Sequence, residues 1–259
     1  MFSLAAPDPT PPSYRRNTMC DVCDTRQAQR RNFLTLTAAG MAGAMGLLTA
    51  PVRAANDPKT TLSAKDALAR LQAGNATFAE TPALCAARLG ERRAQLAAYQ
   101  APWATILSCA DSRVPPELLF GGLGLGELFV ARNAGHLADD ATLGTIEYGS
   151  AVLGVPLIVV LGHERCGAVA AACEVVQKNT HFPGFIGPLV DAIVPAARAV
   201  VGQRGDFLDN AVRENARRTA QAITTRSKIV AEAVAQGKVR VVAAHYDLNS
   251  GRVEYLNTP

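Results

Sequence analysis

The 259-residue chain lacks the charge surplus, the cysteine density and the repeats that would identify several common classes of protein. Its formal net charge is +4, and residues 1–54 contribute six arginines and three aspartates. Removing these from the 26 basic and 22 acidic residues leaves 20 and 19, a balance that argues against a nucleic-acid surface. Six cysteines are too few for a disulfide scaffold of this length. No 20–50-residue repeat is visible, so a solenoid or propeller is not expected.

Residues 1–54 have the composition of a leader rather than of a folded domain. Residues 1–19 are rich in proline, serine and threonine, and we expect them to be disordered. A basic start at Arg30-Arg31, an uncharged run over 36–50 and a small-residue ending at Val52-Arg53-Ala54 together indicate a signal peptide. The apolar run is too short, and too rich in glycine, alanine and threonine, for a stable spanning helix. An amphipathic N-terminal tail is the alternative interpretation.

The arginine pair is followed by Asn32-Phe33-Leu34, which resembles a twin-arginine signal. The resemblance implies export of the folded protein by the twin-arginine translocase, a periplasmic location and no stable membrane insertion afterwards. Cys20 and Cys23 precede the arginines as a Cys-x-x-Cys pair. A pair like this can bind metal or cycle between redox states, but half a zinc site needs partners, so an incidental part of the leader is the favoured interpretation. The folded domain is predicted over 55–259.

Short apolar segments alternate with helical ones beyond the leader. Such alternation predicts an α/β fold in which a central, mostly parallel sheet is flanked by helices. The last two strands are joined by Asn249-Ser250-Gly251, which predicts a hairpin and hence an antiparallel edge strand beside four parallel ones. Strands are predicted over 103–109, 128–132, 157–162, 238–246 and 252–256, and helices over 62–78, 141–153, 167–178 and 206–236, the last with a break near 225.

Two predicted strands end in reactive residues. The first is followed by Cys109-Ala110-Asp111-Ser112-Arg113, and the third by His163-Glu164-Arg165-Cys166. Because ligands bind at the carboxyl ends of parallel strands, these segments are expected to meet. Two thiolates and one imidazole suit zinc, and three protein ligands leave a fourth position open, as in catalytic zinc sites. Each motif alone is weak, since a cysteine at a strand end is more often a small core residue.

Taken together, these motifs resemble the β-carbonic anhydrase family over about residues 62–256. The likeness extends to the segment from Phe129 to Gly135 and to that from Tyr246 to Val253. It implies the zinc-dependent, reversible hydration of carbon dioxide to bicarbonate and a proton by zinc-bound hydroxide. By position, it assigns one zinc per chain to Cys109, His163 and Cys166, and an adjacent catalytic carboxylate–guanidinium pair to Asp111 and Arg113.

The resemblance also implies a subtype and an assembly. Gln100, Phe129 and Tyr148 match the substrate-pocket residues of plant-like members, whose active site is open. In the family, two subunits complete this pocket, so a homodimer or a higher even oligomer is expected. The chain departs from many relatives at His136, where they carry asparagine; this histidine could relay protons, although a polar loop residue is the favoured interpretation. His245 is expected to be a buried or edge polar residue, and Cys85 and Cys173 to be core residues, although an exported protein could oxidise them.

Two other functions compete with carbon dioxide hydration. A zinc hydrolase of the same scaffold acting on carbonyl sulfide or carbon disulfide would have the same ligands and a different pocket. A non-catalytic zinc or redox-sensing protein would not need Asp111 and Arg113, and both residues are present.

Overall fold

A five-stranded sheet is the centre of the region that the computed structural model describes, namely residues 59–81, 96–97 and 99–256. The leader, with Cys20 and Cys23, and also Cys85, lie outside these residues. The strands are β1 (Ala104–Cys109), β2 (Leu128–Asn133), β3 (Leu157–His163), β4 (Arg240–Tyr246) and β5 (Val253–Leu256). Their spatial order is β2-β1-β3-β4-β5. The first four are mutually parallel and β5 pairs antiparallel with β4, which confirms the predicted fold class.

The central strands form because their sequences are apolar on both faces. Every residue of β1 and of β3 is buried, and β3 begins with the run Leu157-Ile158-Val159-Val160-Leu161. Such β-branched runs are typical of parallel strands that are covered by helices on both sides. In contrast, β2 lies at the edge of the sheet and is only partly buried.

The helices cover both faces of the sheet. Ala67 and Leu71 of the first helix pack on one face, together with Ile106 and Val159. Ile158 and Val160 point to the other face, where they pack with Ile223 and other residues of the long sixth helix. The helices are α1 (Ala64–Glu80), α2 (Pro116–Leu119), α3 (Asp140–Glu147), α4 (Gly167–Lys178), α5 (Ile186–Ala199), α6 (Phe207–Arg226) and α7 (Lys228–Ala235).

The observed helices differ from the predicted ones in four places. The short helix α2 and helix α5 are not among the predicted elements, although α5 buries Val190 and Ile193, and Pro195 lies inside it. Helix α3 continues into a π-helical turn, Tyr148–Val152, within the predicted 141–153 segment. The break in the last helical segment lies at Ser227, whose hydroxyl accepts a hydrogen bond from Val230 N and caps α7. None of the described helices is both long and apolar enough to cross a membrane.

The strand order determines where a ligand can bind. Strand β1 lies between β2 and β3, so the chain leaves β1 towards one side of the sheet and later returns on its other side. Parallel sheets form a crevice at the carboxyl ends of the strands where this reversal occurs. Cys109 ends β1 and His163 ends β3, so both motifs open into this crevice.

Candidate metal centre

Three side chains with metal-binding atoms meet at the crevice. The potential ligand atoms of Cys109, His163 and Cys166 all lie within 4.8 Å of one another, and the two sulfur atoms are 3.9 Å apart. All three residues are buried. Two of them end neighbouring strands, whereas Cys166 is the N-cap residue of α4. The sheet and the helix therefore each contribute to one compact donor set.

The ring of His163 is oriented by the chain that follows it. Its Nδ1 lies 2.9 Å from the carbonyl oxygen of Glu164, which can only accept, so Nδ1 carries the proton and donates. The buried Nε2 has no hydrogen-bond partner among the described residues, and therefore presents a lone pair. The Glu164 amide donates to Tyr246 O at 2.8 Å, and the Glu164 carboxylate accepts from Leu248 N at 3.0 Å. These bonds tie the histidine turn to the end of β4.

The two thiols share their protons unequally. A hydrogen bond with Cys166 lowers the pKa of Cys109, although burial acts to raise it, and hydrogen bonds from His163 and the Gly135 amide lower it further. The same hydrogen bond, together with burial, raises the pKa of Cys166 well above its usual range. The shared hydrogen bond thus favours the thiolate at Cys109 and the thiol at Cys166, and binding of a divalent cation would release the thiol proton.

Cys166 also benefits from its place at a helix N-terminus. The backbone amides of Ala168 and Val169, in the first turn of α4, donate towards its sulfur and favour the thiolate. Unpaired amides and the helix dipole stabilise negative charge at this position. Two sulfur donors and one unpaired imidazole nitrogen therefore fit a zinc ion, and three protein donors leave room for a fourth, exchangeable ligand.

Asp111 and Arg113 form a bidentate ion pair beside this donor set. Arg113 donates from Nε to Oδ1 at 2.9 Å and from Nη2 to Oδ2 at 2.6 Å, and its backbone amide donates to Oδ1 at 2.9 Å. These hydrogen bonds hold the pKa of Asp111 well below its usual range, so the carboxylate is ionised at neutral pH. Its Oδ2 lies 3.9 Å from the unpaired Nε2 of His163. A fixed acceptor therefore lies at the edge of the donor set.

Sequence reasoning missed a clamp on the end of β1. Arg132 donates from Nε to the carbonyl oxygen of Cys109 at 2.9 Å and from Nη2 to that of Asp111 at 2.6 Å. Beside it, Asn133 O accepts from Ala110 N at 3.0 Å. Both residues belong to the segment that carries the family resemblance, but nothing in their local pattern indicates which backbone groups they bind.

Within a single chain, the three predicted pocket residues do not lie beside the donor set. The rings of Phe129 and Tyr148 stack with centroids 6.2 Å apart, and Tyr148 is 42% exposed. Phe129 pairs in register with Thr105, four residues before Cys109 on β1, which places it about 13 Å from the end of that strand at ~3.3 Å per residue. Gln100 is exposed ahead of β1.

His181 is exposed, whereas the other two histidines outside the donor set, and the third cysteine of the described residues, are buried. His136 is fully buried, and burial lowers its pKa to about 4, so the ring is neutral. His245, at the end of β4, is 3% exposed with Nε2 2.8 Å from Asp209 Oδ1; burial, followed by the charge of Arg213, lowers its pKa. Cys173 is a free, buried thiol of α4, and burial raises its pKa to about 11.

Comparison with known proteins identifies the family. The family model for carbonic anhydrase matches residues 104–253, which is more than half of the chain. The chain is 42% identical over 164 residues to carbonic anhydrase 2 of Mycobacterium tuberculosis, covering 62% of this chain and 78% of that protein. It is 39% identical over 186 residues to the carbonic anhydrase of Mycolicibacterium smegmatis, covering 71% and 89% respectively.

A solved structure agrees with these sequence relatives. The β-carbonic anhydrase of Coccomyxa, solved in complex with acetazolamide, superposes with a TM-score of 0.58 at 30% identity, covering 73% of this chain and 86% of that chain. The β-carbonic anhydrase CcaA gives the same TM-score at 24% identity, which supports the fold. The matched residues contain both strand-end motifs and the donor set that they form. The chain therefore belongs to the carbonic anhydrase family, and within it to the β class.

Proposed function

We propose that this protein is a zinc-dependent carbonic anhydrase that catalyses the reversible hydration of carbon dioxide to bicarbonate and a proton. The observation that carries the proposal is the buried set of Cys109, His163 and Cys166, in which the imidazole offers an unpaired nitrogen beside two thiols. We assign these three side chains as the ligands of one zinc ion per chain. Zinc, when bound, acts as a Lewis acid that makes hydroxide available near neutral pH, a behaviour for which carbonic anhydrases are the established example.

Asp111 and Arg113 orient the nucleophile in this proposal. The carboxylate is an acceptor at the working pH, and the two hydrogen bonds from Arg113 fix the direction of its oxygen atoms. Asp111 would accept a hydrogen bond from the O–H of hydroxide and so turn a lone pair towards the carbon atom of carbon dioxide. A new C–O bond forms, one C=O bond of the substrate becomes a C–O⁻ bond, and the proton released from water passes to buffer.

We further propose that the active form is a homodimer, or a higher even oligomer, of the plant-like type. Phe129 and Tyr148 lie far from the donor set of their own chain, and Tyr148 is accessible to a second copy. A pocket that needs these rings and Gln100 beside the zinc ligands would therefore combine residues of two chains. Such a pocket would supply the apolar surface that carbon dioxide, a small uncharged molecule, needs next to the nucleophile.

The test of the activity compares two cysteine variants of the full chain. Zinc content and stopped-flow carbon dioxide hydration between pH 6.5 and 9 would be measured for the wild type, Cys109→Ser and Cys173→Ser. We expect about one zinc per chain in the wild type, loss of zinc and activity in Cys109→Ser, and retention of both in Cys173→Ser, because Cys173 lies outside the donor set. A zinc-loaded wild type that is inactive at every pH would contradict the proposal and direct assays to carbonyl sulfide and carbon disulfide.

The shared pocket can be tested by mixing inactive chains. Cys109→Ser removes one of the three proposed zinc ligands, and Tyr148→Ala removes a proposed pocket ring. If a pocket combines two chains, a mixed dimer contains one site with both defects and one with neither. Unfolding and refolding the two variants together should then restore activity that neither has alone. No restoration, in a sample whose mass shows mixed dimers, would place the whole pocket within one chain.

We also propose export to the periplasm by the twin-arginine pathway, on the strength of the leader sequence. Replacing Arg30 and Arg31 by lysine should keep the full-length protein in the cytosol. Replacing Arg15 and Arg16 by lysine is the matched control, since this pair lies outside the signal, and should leave export unchanged. Full-length wild-type protein confined to the cytosolic fraction of a host that has the pathway would overturn this proposal.

A further inference from the structure

His136 is a buried residue in an unusual backbone conformation beside the metal centre. Its φ angle is +46° and its side chain is fully buried. Residues other than glycine seldom adopt this left-handed conformation, and such strain persists only where surrounding contacts enforce it. It is also a poor candidate for a proton relay, because it has no contact with solvent and its pKa is lowered by burial to about 4. The structure therefore calls for another role.

Asn215 of α6 holds this residue and the one before it. The Nδ2 atom of Asn215 lies 2.9 Å from Nε2 of His136 and 2.9 Å from the carbonyl oxygen of Gly135. An amide nitrogen can only donate, so the neutral imidazole accepts at Nε2 and carries its proton on Nδ1. Asn215 is 3% exposed, and its amide thus uses both protons to fix two successive residues of one turn.

This turn lies between the two strand ends that carry metal-binding residues. On the β1 side, Asn133 O accepts from the amides of both Ala110, at 3.0 Å, and His136, at 3.3 Å. On the β3 side, the His136 ring packs over Gly162, since a Cβ atom at that glycine would lie 3.4 Å from His136 Cε1. The turn therefore reaches both strand ends. It shares the Asn133 carbonyl with Ala110 and its Gly135 amide hydrogen-bonds to the Cys109 sulfur, while the His136 ring contacts Gly162, the neighbour of His163.

We propose that His136 and Asn215 are positioning residues for the metal centre, which hold the Gly135–His136 turn as a spacer between the ends of β1 and β3. The pair acts on the donor set through the residues next to it and does not contribute a ligand. This inference rests on the proposed zinc site. Partners outside the ligand shell that orient ligands are typically worth 10- to 100-fold in metal affinity. Breaking the His136–Asn215 bond should therefore weaken zinc binding.

The test uses variants that separate the hydrogen bond from the bulk of the side chain. His136→Leu fills a similar space and removes the acceptor, whereas His136→Gln keeps an acceptor that can reach Asn215. Asn215→Ser shortens the donor and is the second variant if His136→Leu does not fold. Ile223→Val, a conservative change in the buried core on the same helix α6, is the matched control.

Two measurements distinguish positioning from a general loss of stability. The dissociation constant of zinc would be measured by chelator competition, and the thiolate-to-metal charge-transfer band would be recorded after loading Co²⁺. We expect His136→Leu and Asn215→Ser to bind zinc at least about tenfold more weakly and to shift the cobalt band. His136→Gln should recover most of both properties, and Ile223→Val should match the wild type.

Three outcomes can be told apart. Wild-type zinc affinity and an unchanged cobalt band in folded His136→Leu and Asn215→Ser would overturn the inference and leave the zinc site intact. Loss in His136→Leu that His136→Gln does not reverse would also overturn it, because bulk rather than the hydrogen bond would then be responsible. Absence of zinc binding by the wild type would refute the proposed function itself, and the inference with it.

Discussion

Replacing Arg132 with alanine should impair catalysis as well as stability, because this side chain clamps the end of β1. Its two hydrogen bonds, of 2.9 and 2.6 Å, go to the carbonyl oxygens on either side of Ala110. They fix the direction in which the chain leaves the strand, and hence the positions of both Cys109 and Asp111. The positions of the proposed ligand Cys109 and of the orienting carboxylate of Asp111 thus both depend on the Arg132 guanidinium.

The size of the effect follows from the exposure of that side chain. A hydrogen bond from a charged donor contributes about 1.5–3 kcal/mol in a protected setting. Arg132 is exposed, so water can replace part of each bond, and about 1 kcal/mol for each is a better figure. If the transition state depends fully on the clamped geometry, the loss of about 2 kcal/mol corresponds to roughly 30-fold in kcat/KM.

The assay compares Arg132→Ala with Arg70→Ala. Arg70 is a matched control because it is also exposed, binds the Glu127 carboxylate and lies 4.7 Å from the centre of the Trp103 ring, away from the donor set. Urea unfolding should show a similar loss of stability in both variants. Stopped-flow hydration should show a large fall in kcat/KM for Arg132→Ala alone. Equal kcat/KM values in the two zinc-loaded variants would refute the clamp.

Three further predictions address the dyad, the buried histidine and the turn. If Arg113 acts through Asp111, then Asp111→Asn, Arg113→Met and the double variant should lose similar activity, whereas multiplicative losses in kcat/KM would show that Arg113 acts independently. The folded-state pKa of His136 is lowered to about 4, so between pH 6.5 and 4 the unfolded chain binds a proton that the folded chain refuses. Stability should therefore fall by up to about 3 kcal/mol as pH drops through this window, and urea titrations should show a smaller fall for His136→Gln. Gly135→Ala should destabilise the protein by about 2 kcal/mol or more, because φ is +78° and the new Cβ would lie 2.6 Å from Ile193 Cδ1. The double variant Gly135→Ala/Ile193→Val should unfold at a temperature between those of Gly135→Ala and the wild type. The smaller side chain relieves the clash with the new Cβ atom, but the strain of the positive φ angle remains.

Local sequence patterns were sufficient to predict the sheet. Buried parallel strands require continuous apolar runs, and those of β1 and β3 are each preceded by a proline, Pro102 and Pro156, so their type and position can be recognised without tertiary information. Helix α5 shows the opposite case. Two prolines, Pro188 and Pro195, obscure its helical pattern, yet it forms because Val190, Ile193 and Ala197 bury an apolar face with residues of α4 and α6.

The candidate site could be predicted only as far as its contacts are local or follow from the strand ends. Asp111 and Arg113 are two residues apart, so their ion pair is visible in the sequence. The bond between His136 and Asn215 joins residues 79 positions apart, and no short pattern indicates it. Gln100, Phe129 and Tyr148 show a further limit, since the pocket that we propose for them would require a second chain.

The charges of the donor set explain why the carboxylate needs its own cation. Two thiolates would neutralise a bound divalent zinc ion, so Asp111 adds a negative charge to a centre that has no remaining positive charge to balance it. Arg113 supplies that balance through two parallel hydrogen bonds, which a lysine could not reproduce because it lacks the planar fork. The same bonds occupy both oxygens of Asp111 and oppose its movement onto the metal. Under the proposed function, this would leave the fourth position of a bound zinc ion to water, in keeping with the open type of site that we propose.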